Sequence, residues 1–252
     1  MKITVLGCGT STGVPRIGND WGACDPKNSK NRRRRVSVLL EYQGKKLIID
    51  TSPDLREQLL SAGIGDLDGV LYTHDHADHT NGIDDLRGVF QNSKKRTDTY
   101  GSQQTMNVLR KRFGYIFEGK NGYPALCNPK VIEAHIPLNI KGFNVLPFEQ
   151  IHGKIPSFGY RFGKFAYSTD VSELSDKAFE LLDGVEVWLV DALRYKPHPT
   201  HSHLERTLSW IERVKPKQAY LTHMTGDMDY ETLCKNLPDH IRPAYDGLEI
   251  YL

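Results

Sequence analysis

The chain is poor in cysteine, with only Cys8, Cys24, Cys127 and Cys234 among 252 residues. These lie far apart and form no CxxC pair, which excludes a disulfide-stapled scaffold and a zinc ribbon and fits a reducing compartment. No apolar run reaches the roughly 18 residues of a membrane-spanning helix. The opening MKITVLGCGT breaks into glycines before it can build the apolar stretch of an export signal. A soluble cytoplasmic protein with no membrane partner is expected. A charge excess is missing too: 33 Lys and Arg stand against 31 Asp and Glu, a formal net charge of +2. The molecule as a whole is then no electrostatic magnet for nucleic acid, which is not an expected partner. Repeats, low-complexity tracts and linkers are also absent, so residues 1–252 are expected to form one α/β domain, long enough to bury a core without staples.

What is present is a series of short β-branched or apolar runs bounded by Gly, Asp or Pro: Ile3 to Leu6, Ser37 to Tyr42, Lys46 to Ile49, Val70 to Thr73, Phe143 to Phe148, Val185 to Val190 and Ala219 to Thr222. Gln43-Gly44 and Gly163-Lys164 sit between paired runs and predict hairpins, so part of the sheet structure is antiparallel. Helical spacing appears in Leu55, Leu59 and Leu60, in Val108, Leu109 and Phe113, in Ala178, Phe179 and Leu182, and in Leu204, Leu208 and Ile211. The stretch Glu118 to Pro129 has no period and reads as a surface loop.

The chemistry concentrates in THDHADH, Thr73 to His79, which leaves an apolar strand and runs into a helical pattern. Alternate residues leaving a strand point the same way, so His74 and His76 converge on one point. Asp78 and His79 follow in the turn that opens the helix, where a second ion would lie within a few ångströms of the first, as two-metal hydrolases need. Imidazoles and carboxylates at this density on one turn repel unless a cation joins them.

This run resembles the HxHxDH signature of the metallo-β-lactamase superfamily, and three later residues match what that family adds: His152 in Ile151-His152-Gly153, Asp170 ending Tyr167-Ser168-Thr169-Asp170, and His223 ending Leu221-Thr222-His223. The resemblance implies an αββα sandwich of two mixed, partly antiparallel sheets. It further implies that His74, His76 and His152 hold one metal, that Asp78, His79 and His223 hold the other, and that Asp170 bridges them. Zinc is the default for such a histidine-rich set, and its oxygen donors also suit manganese.

A narrower likeness lies in LGCGTSTGVP (Leu6 to Pro15), in RxRxS at Arg33, Arg35 and Ser37, in PTHSHL (Pro199 to Leu204) and in the ending AYDGLEI. These resemble the cyclic phosphodiesterases of the carbon–phosphorus lyase pathway and their relatives, in which a histidine matching His201 serves the leaving group. Ser202 with Glu205 reads as a capping box, which places His201 just before a helix N-terminus whose free N–H groups would welcome phosphate. That enzyme type also carries a structural zinc site, for which this chain offers only Cys24 and, in place of a histidine, Thr225; no structural zinc is expected.

Softer candidates surround this set. His203, Arg35 and Arg194 are substrate-contact candidates; Arg33 and Arg35 alternate and so would share one side of a strand. Asp50 ends a strand and is expected to orient the metal loop from behind. Gly7, Gly9 and Gly13 resemble a phosphate loop, but no lysine follows in the required spacing, so a tight turn beside the metals is the reading. Together these residues imply a dinuclear hydrolase that opens a small cyclic or linear phosphodiester, of nucleotide or ribose phosphate type, with a hydroxide held between two divalent ions and His201 as acid. Alternatives on the same scaffold are a transfer-RNA 3′-processing nuclease and a thioester or lactone hydrolase. From a different class, a non-catalytic metal or nucleotide sensor would use the same ligands. A homodimer is compatible with the sequence.

Overall fold

The computed structural model describes Met1–Leu252 and contains two seven-stranded sheets. The first is built from β1 (Lys2–Gly7), β2 (Ser37–Tyr42), β3 (Lys45–Ile49), β4 (Gly69–Leu71), β5 (Thr97–Gly101), β6 (Cys127–Val131) and the late β14 (Glu249–Tyr251), in the order β14-β1-β2-β3-β4-β5-β6. The second is built from β7 (Leu138–Ile140), β8 (Phe143–His152), β9 (Ile155–Phe162), β10 (Phe165–Ser168), β11 (Val187–Asp191), β12 (Gln218–Thr222) and β13 (Ile241–Pro243), in the order β13-β12-β11-β10-β9-β8-β7. Each sheet is mixed. The hairpins β2–β3 and β9–β10 turn at Gln43-Gly44 and Gly163-Lys164 as expected, while β3, β4, β5 and β6 run parallel, as do β10, β11, β12 and β13.

Side-chain alternation explains the layering. Val38 and Leu40 of β2 and Leu47 and Ile49 of β3 point into the core shared with Phe148, Tyr160, Tyr167 and Leu189 of the second sheet. Leu39 and Ile48, one residue out of phase, point the other way and meet Leu55 and Leu59 of α1 (Leu55–Ala62) and Met106 and Leu109 of α4 (Gln103–Glu118). Strands covered on both faces carry apolar residues at every position, which is why β2 and β3 read as continuous runs. Between α1 and α4 lie α2 (Ala77–Thr80) and α3 (Leu86–Ser93). On the second sheet α5 (Asp176–Leu182), α6 (Leu204–Val214) and α7 (Tyr230–Asn236) contribute Ala178, Leu182, Ile211 and Leu233 to the core. The αββα sandwich implied by the resemblance is the architecture, and no helix is long and apolar enough to cross a membrane.

Three local expectations are corrected. Part of the expected surface loop Glu118 to Pro129 is structured: Ala125, Leu126 and Cys127 are buried, and β6 starts at Cys127 parallel to β5. Its polar Asn128-Pro129-Lys130 disguises an edge strand, where a proline needs no ladder partner on its outer side. The strand expected over Val70 to Thr73 stops at Leu71, because the Thr73 N–H is taken by the Asp50 carboxylate instead of the sheet, at 2.8 Å. The capping box fails as well. Helix α6 starts at Leu204 with His203 in the N-cap place, and the Ser202 hydroxyl lies 2.7 Å from Thr207 Oγ1 rather than on a helix amide.

Candidate metal centre

The ligand-type residues lie at strand ends or in the helical turn that follows one. Beyond β4 the extended chain carries His74 and His76, and α2 opens at Ala77 with Asp78 and His79 in its single turn. Asp50, Asp170 and His223 follow β3, β10 and β12, and all three adopt left-handed φ values of 63°, 51° and 59°. This region costs a non-glycine residue about 1–3 kcal/mol and persists only where surrounding contacts impose it. Here it turns three side chains at strand ends into one crevice between the sheets.

The result is two donor sets sharing one carboxylate: His74, His76, His152 and Asp170 form the first, and Asp78, His79, His223 and Asp170 the second, with the donor atoms of each set within 4.8 Å of one another. Asp170 Oδ2 lies 3.7 Å from His74 Nε2 and 3.5 Å from His152 Nε2, while Oδ1 lies 3.1 Å from His79 Nε2 and 3.3 Å from His223 Nε2. Each oxygen thus belongs to a different set. His74 Nε2, His79 Nε2 and His223 Nε2 are buried with no hydrogen-bond partner. Buried, unpaired acceptor-capable nitrogens converging on a carboxylate are the signature of cation ligands, so the residues fit a metal pair. Their rear contacts fit too. His79 Nδ1 lies 2.7 Å from Asp50 Oδ2, His74 Nδ1 3.0 Å from Thr73 Oγ1, and His152 Nδ1 2.6 Å from the Thr200 carbonyl. Such partners set the tautomer that leaves Nε2 free for a metal.

The electrostatics show what a cation would replace. Burial pushes the Asp170 carboxyl upward, but the imidazoles, His223 and His79 foremost, outweigh it and hold it well below the usual range. Burial likewise opposes charge on His79, yet Asp170, Asp78 and Asp50 together hold its imidazolium well above the ordinary histidine value. His74 goes the other way, kept neutral by burial and by the neighbouring His79 charge. In the metal-free site protons supply the positive charge; metal binding would release them.

His201 stands just outside both sets. Its ring stacks on His223, with centroids 4.7 Å apart, its Nδ1 lies 3.0 Å from Asp191 Oδ2, and its Nε2 lies 3.8 Å from Asp170 Oδ2. Burial would lower its pKa, but the Asp191 and Asp170 carboxylates raise it to about 9. Asp191 was missed at sequence level; like Asp50 and Asp170 it is an aspartate at the end of an apolar strand, and that repeated placement was the available signal. Of the helix amides read as free behind His201 the first is taken, since the Leu204 N–H donates to the Arg194 carbonyl at 2.9 Å.

The softer candidates separate. Arg35, ion-paired to Asp54 at 3.1 Å, lines an open cleft of 610 Å³ together with Arg16, Thr12 and the ligand-type Asp78. Arg33 does not share that side: it is buried, and its guanidinium donates to the carbonyls of Thr225 and Met228 and approaches Cys24 Sγ at 3.8 Å. The loop of Cys24 and the segment of Thr225 are therefore joined by an arginine. Arg194 donates to the carbonyls of Lys196 and Pro197 and so braces its own loop, and His203 is buried outside both donor sets. Gly7 and Gly9 make room for a neighbouring backbone, a Cβ on either falling 2.1 Å and 2.9 Å from the carbonyls of Arg35 and Arg33, so these glycines belong to packing.

Residues 45–224 match the model of the beta-lactamase superfamily domain. A solved structure described as a new diphosphatase from the PhnP family shares 40% identity, covers 99% of this chain and 96% of its own, and superposes with a TM-score of 0.92. Among curated proteins, an octanoyltransferase of Porphyromonas gingivalis is 35% identical over 99% of this chain and 51% of its own length. A ribonuclease Z of Bradyrhizobium diazoefficiens is 34% identical over 52% of this chain and 44% of its own. The chain spans about half the length of the octanoyltransferase it matches. With a family match over most of the strands and helices that build the two donor sets, and a PhnP-family structure matching end to end, the chain belongs to the metallo-β-lactamase superfamily and to its PhnP family.

Proposed function

We propose that this protein is a dinuclear metal-dependent phosphodiesterase that opens a small cyclic or linear phosphodiester of nucleotide or ribose phosphate type. The observation that carries this reading is Asp170, whose two oxygens each face two imidazoles of a different donor set at 3.1–3.7 Å. His74, His76 and His152 would hold one ion, Asp78, His79 and His223 the other. When bound, such ions, zinc or manganese, supply charge neutralisation at phosphoryl oxygens and lower the pKa of water from about 15.7 toward 7. The protein's own groups do the rest. Arg35 at the cleft mouth would orient a phosphate through its planar donors, and Asp191 holds the His201 imidazolium so that its Nε2 proton can pass to the departing oxygen.

A diphosphate fits the same roles, and a diphosphatase is what the PhnP-family relative is called. The octanoyltransferase relative raises acyl transfer or thioester hydrolysis as a second reading. Burying an eight-carbon chain would stabilise binding by about 0.8 kcal/mol per methylene, but the cleft beside Asp78 sets the arginines Arg16 and Arg35 among Ile17, Pro53 and Ala77, and planar cationic donors of that kind suit a phosphate better than a neutral acyl chain. The near-neutral charge argues against a grip on transfer RNA. A sensor would have no use for the buried Asp191–His201 pair. The test is hydrolysis by metal-loaded protein of bis(p-nitrophenyl) phosphate, a cyclic ribose phosphate, a dinucleoside diphosphate, octanoyl thioesters and lactones. Metal-dependent turnover confined to the phosphates supports the reading; turnover of the thioester or lactone alone overturns it.

A further inference from the structure

Of the four imidazoles that precede the shared carboxylate, three have a rear partner: Thr73 for His74, Asp50 for His79 and the Thr200 carbonyl for His152. His76 has none. Its only side-chain neighbour at hydrogen-bonding distance is His152, 3.3 Å away on the ligand side, and it is the exposed member of its set. Something other than a hydrogen bond to the ring must fix its direction, and its backbone is where that constraint is found.

Arg112 supplies it. Its Nη1 donates to the carbonyl of Asp75, the residue between His74 and His76, at 2.9 Å, and its Nη2 donates to Asn81 Oδ1 at the end of α2. The same guanidinium lies 3.5 Å from Thr80 Oγ1, which in turn donates to the His76 carbonyl at 2.8 Å. All three acceptors belong to the eight-residue segment His74–Asn81, so one planar fork joins the two ends of the loop that carries four of the seven donors. Helix α4 is shaped for this contact. Met106, Leu109, Ile116 and Phe117 anchor it in the core, its path breaks at Phe113 (φ −127°, ψ 37°), and the Arg112 guanidinium sits over the Phe113 ring at 5.1 Å, which holds the long side chain extended.

We infer that Arg112 is a positioning residue for His76: it fixes the backbone on either side of that imidazole and thereby the affinity of the first donor set. The inference rests on the metal-binding reading proposed above. Arg112 touches neither donor set directly, and a guanidinium satisfying two carbonyl-type acceptors at once cannot be replaced by an apolar side chain. Removing partners of this kind typically weakens metal binding about 10- to 100-fold; because Arg112 is exposed and acts through the backbone, the lower end applies.

The experiment is a Mn²⁺ titration of metal-stripped wild type and Arg112→Met, with the thermal midpoint of each metal-free protein measured alongside. Asp78→Asn, which alters a donor of the second set alone, serves as the reference. Arg112→Met should weaken one of two binding steps about tenfold, leave the other step and the metal-free midpoint near wild type, and spare the step that Asp78→Asn weakens. Unchanged affinities, equal weakening of both steps, or a lowered metal-free midpoint would overturn the assignment and return Arg112 to a general surface tie. Absence of any Mn²⁺ binding by the wild type would instead overturn the metal reading itself.

Discussion

His201 and Asp191 form a buried pair, Nδ1 to Oδ2 at 3.0 Å, that leaves His201 Nε2 directed at Asp170 without making His201 a member of either donor set. A group so held can give a proton to a leaving group while the metal ligands stay intact. His201→Ala should therefore bind metal normally and lose about 10²- to 10⁴-fold in kcat on an alkyl phosphodiester, the usual contribution of a placed general acid. The loss should be much smaller on bis(p-nitrophenyl) phosphate, whose phenolate departs with little help. Asp191→Asn should show the same substrate dependence in weaker form. Equal losses on both substrates would make His201 a phosphate ligand.

The pair also fixes a pH dependence. Burial opposes its charge, but Asp191 and Asp170 lift His201 to about 9, above the ordinary histidine value of about 6.5. A raised folded-state pKa means that the stabilisation is complete below the unfolded value and is lost as pH rises through the folded one. Metal-free protein should accordingly lose stability between about pH 6.5 and 9, and its His201 ring resonances should titrate near 9 by NMR. Asp191→Asn should bring the titration down, and an unshifted wild-type ring would refute the pairing. Bound cations would lower the value, as like charge disfavours the imidazolium.

Asp170 is the residue both sets need. Asp170→Ala should abolish most activity and reduce metal content while the far-ultraviolet spectrum stays native, because the carboxylate it removes faces the donor imidazoles rather than the apolar core. Full activity in this variant would dispose of the bridging role.

Arg33 and Cys24 give a structural counterpart. Cys24→Ser should retain wild-type metal content, whereas Arg33→Met leaves the Thr225 and Met228 carbonyls without their donor and should cost about 1–3 kcal/mol. For a chain of this size that is a fall of roughly 2–4 °C in Tm per kcal/mol. Loss of one metal equivalent in Cys24→Ser would mean that the loop holds an ion after all.

Much of this site was legible because a metal's demands are local. THDHADH sits in one turn, and the strand-end residues His152, Asp170 and His223 stood out by their resemblance to a family pattern. Asp50 was legible as the end of a strand. What was not legible depended on packing across the chain. Arg33 and Arg35 alternate in sequence, yet Arg33 is drawn inward by the Thr225 and Met228 carbonyls, nearly 200 residues away. Ser202 looks like a cap until Val171 and Leu193 claim its backbone, the first accepting its N–H at 2.6 Å and the second donating to its carbonyl at 2.9 Å. Strand β6 hid behind Asn128-Pro129-Lys130 because an edge strand needs pairing on one side only.

The central claim is that two ions, held on either side of Asp170, act together on a phosphodiester. Adding Mn²⁺ or Zn²⁺ in steps to metal-stripped protein, with bis(p-nitrophenyl) phosphate turnover and bound metal followed in the same samples, tests it most directly. The account predicts little activity up to the first equivalent, a steep rise with the second, and saturation at two ions per chain. Full activity at one bound ion, or undiminished turnover by the stripped protein, would contradict it.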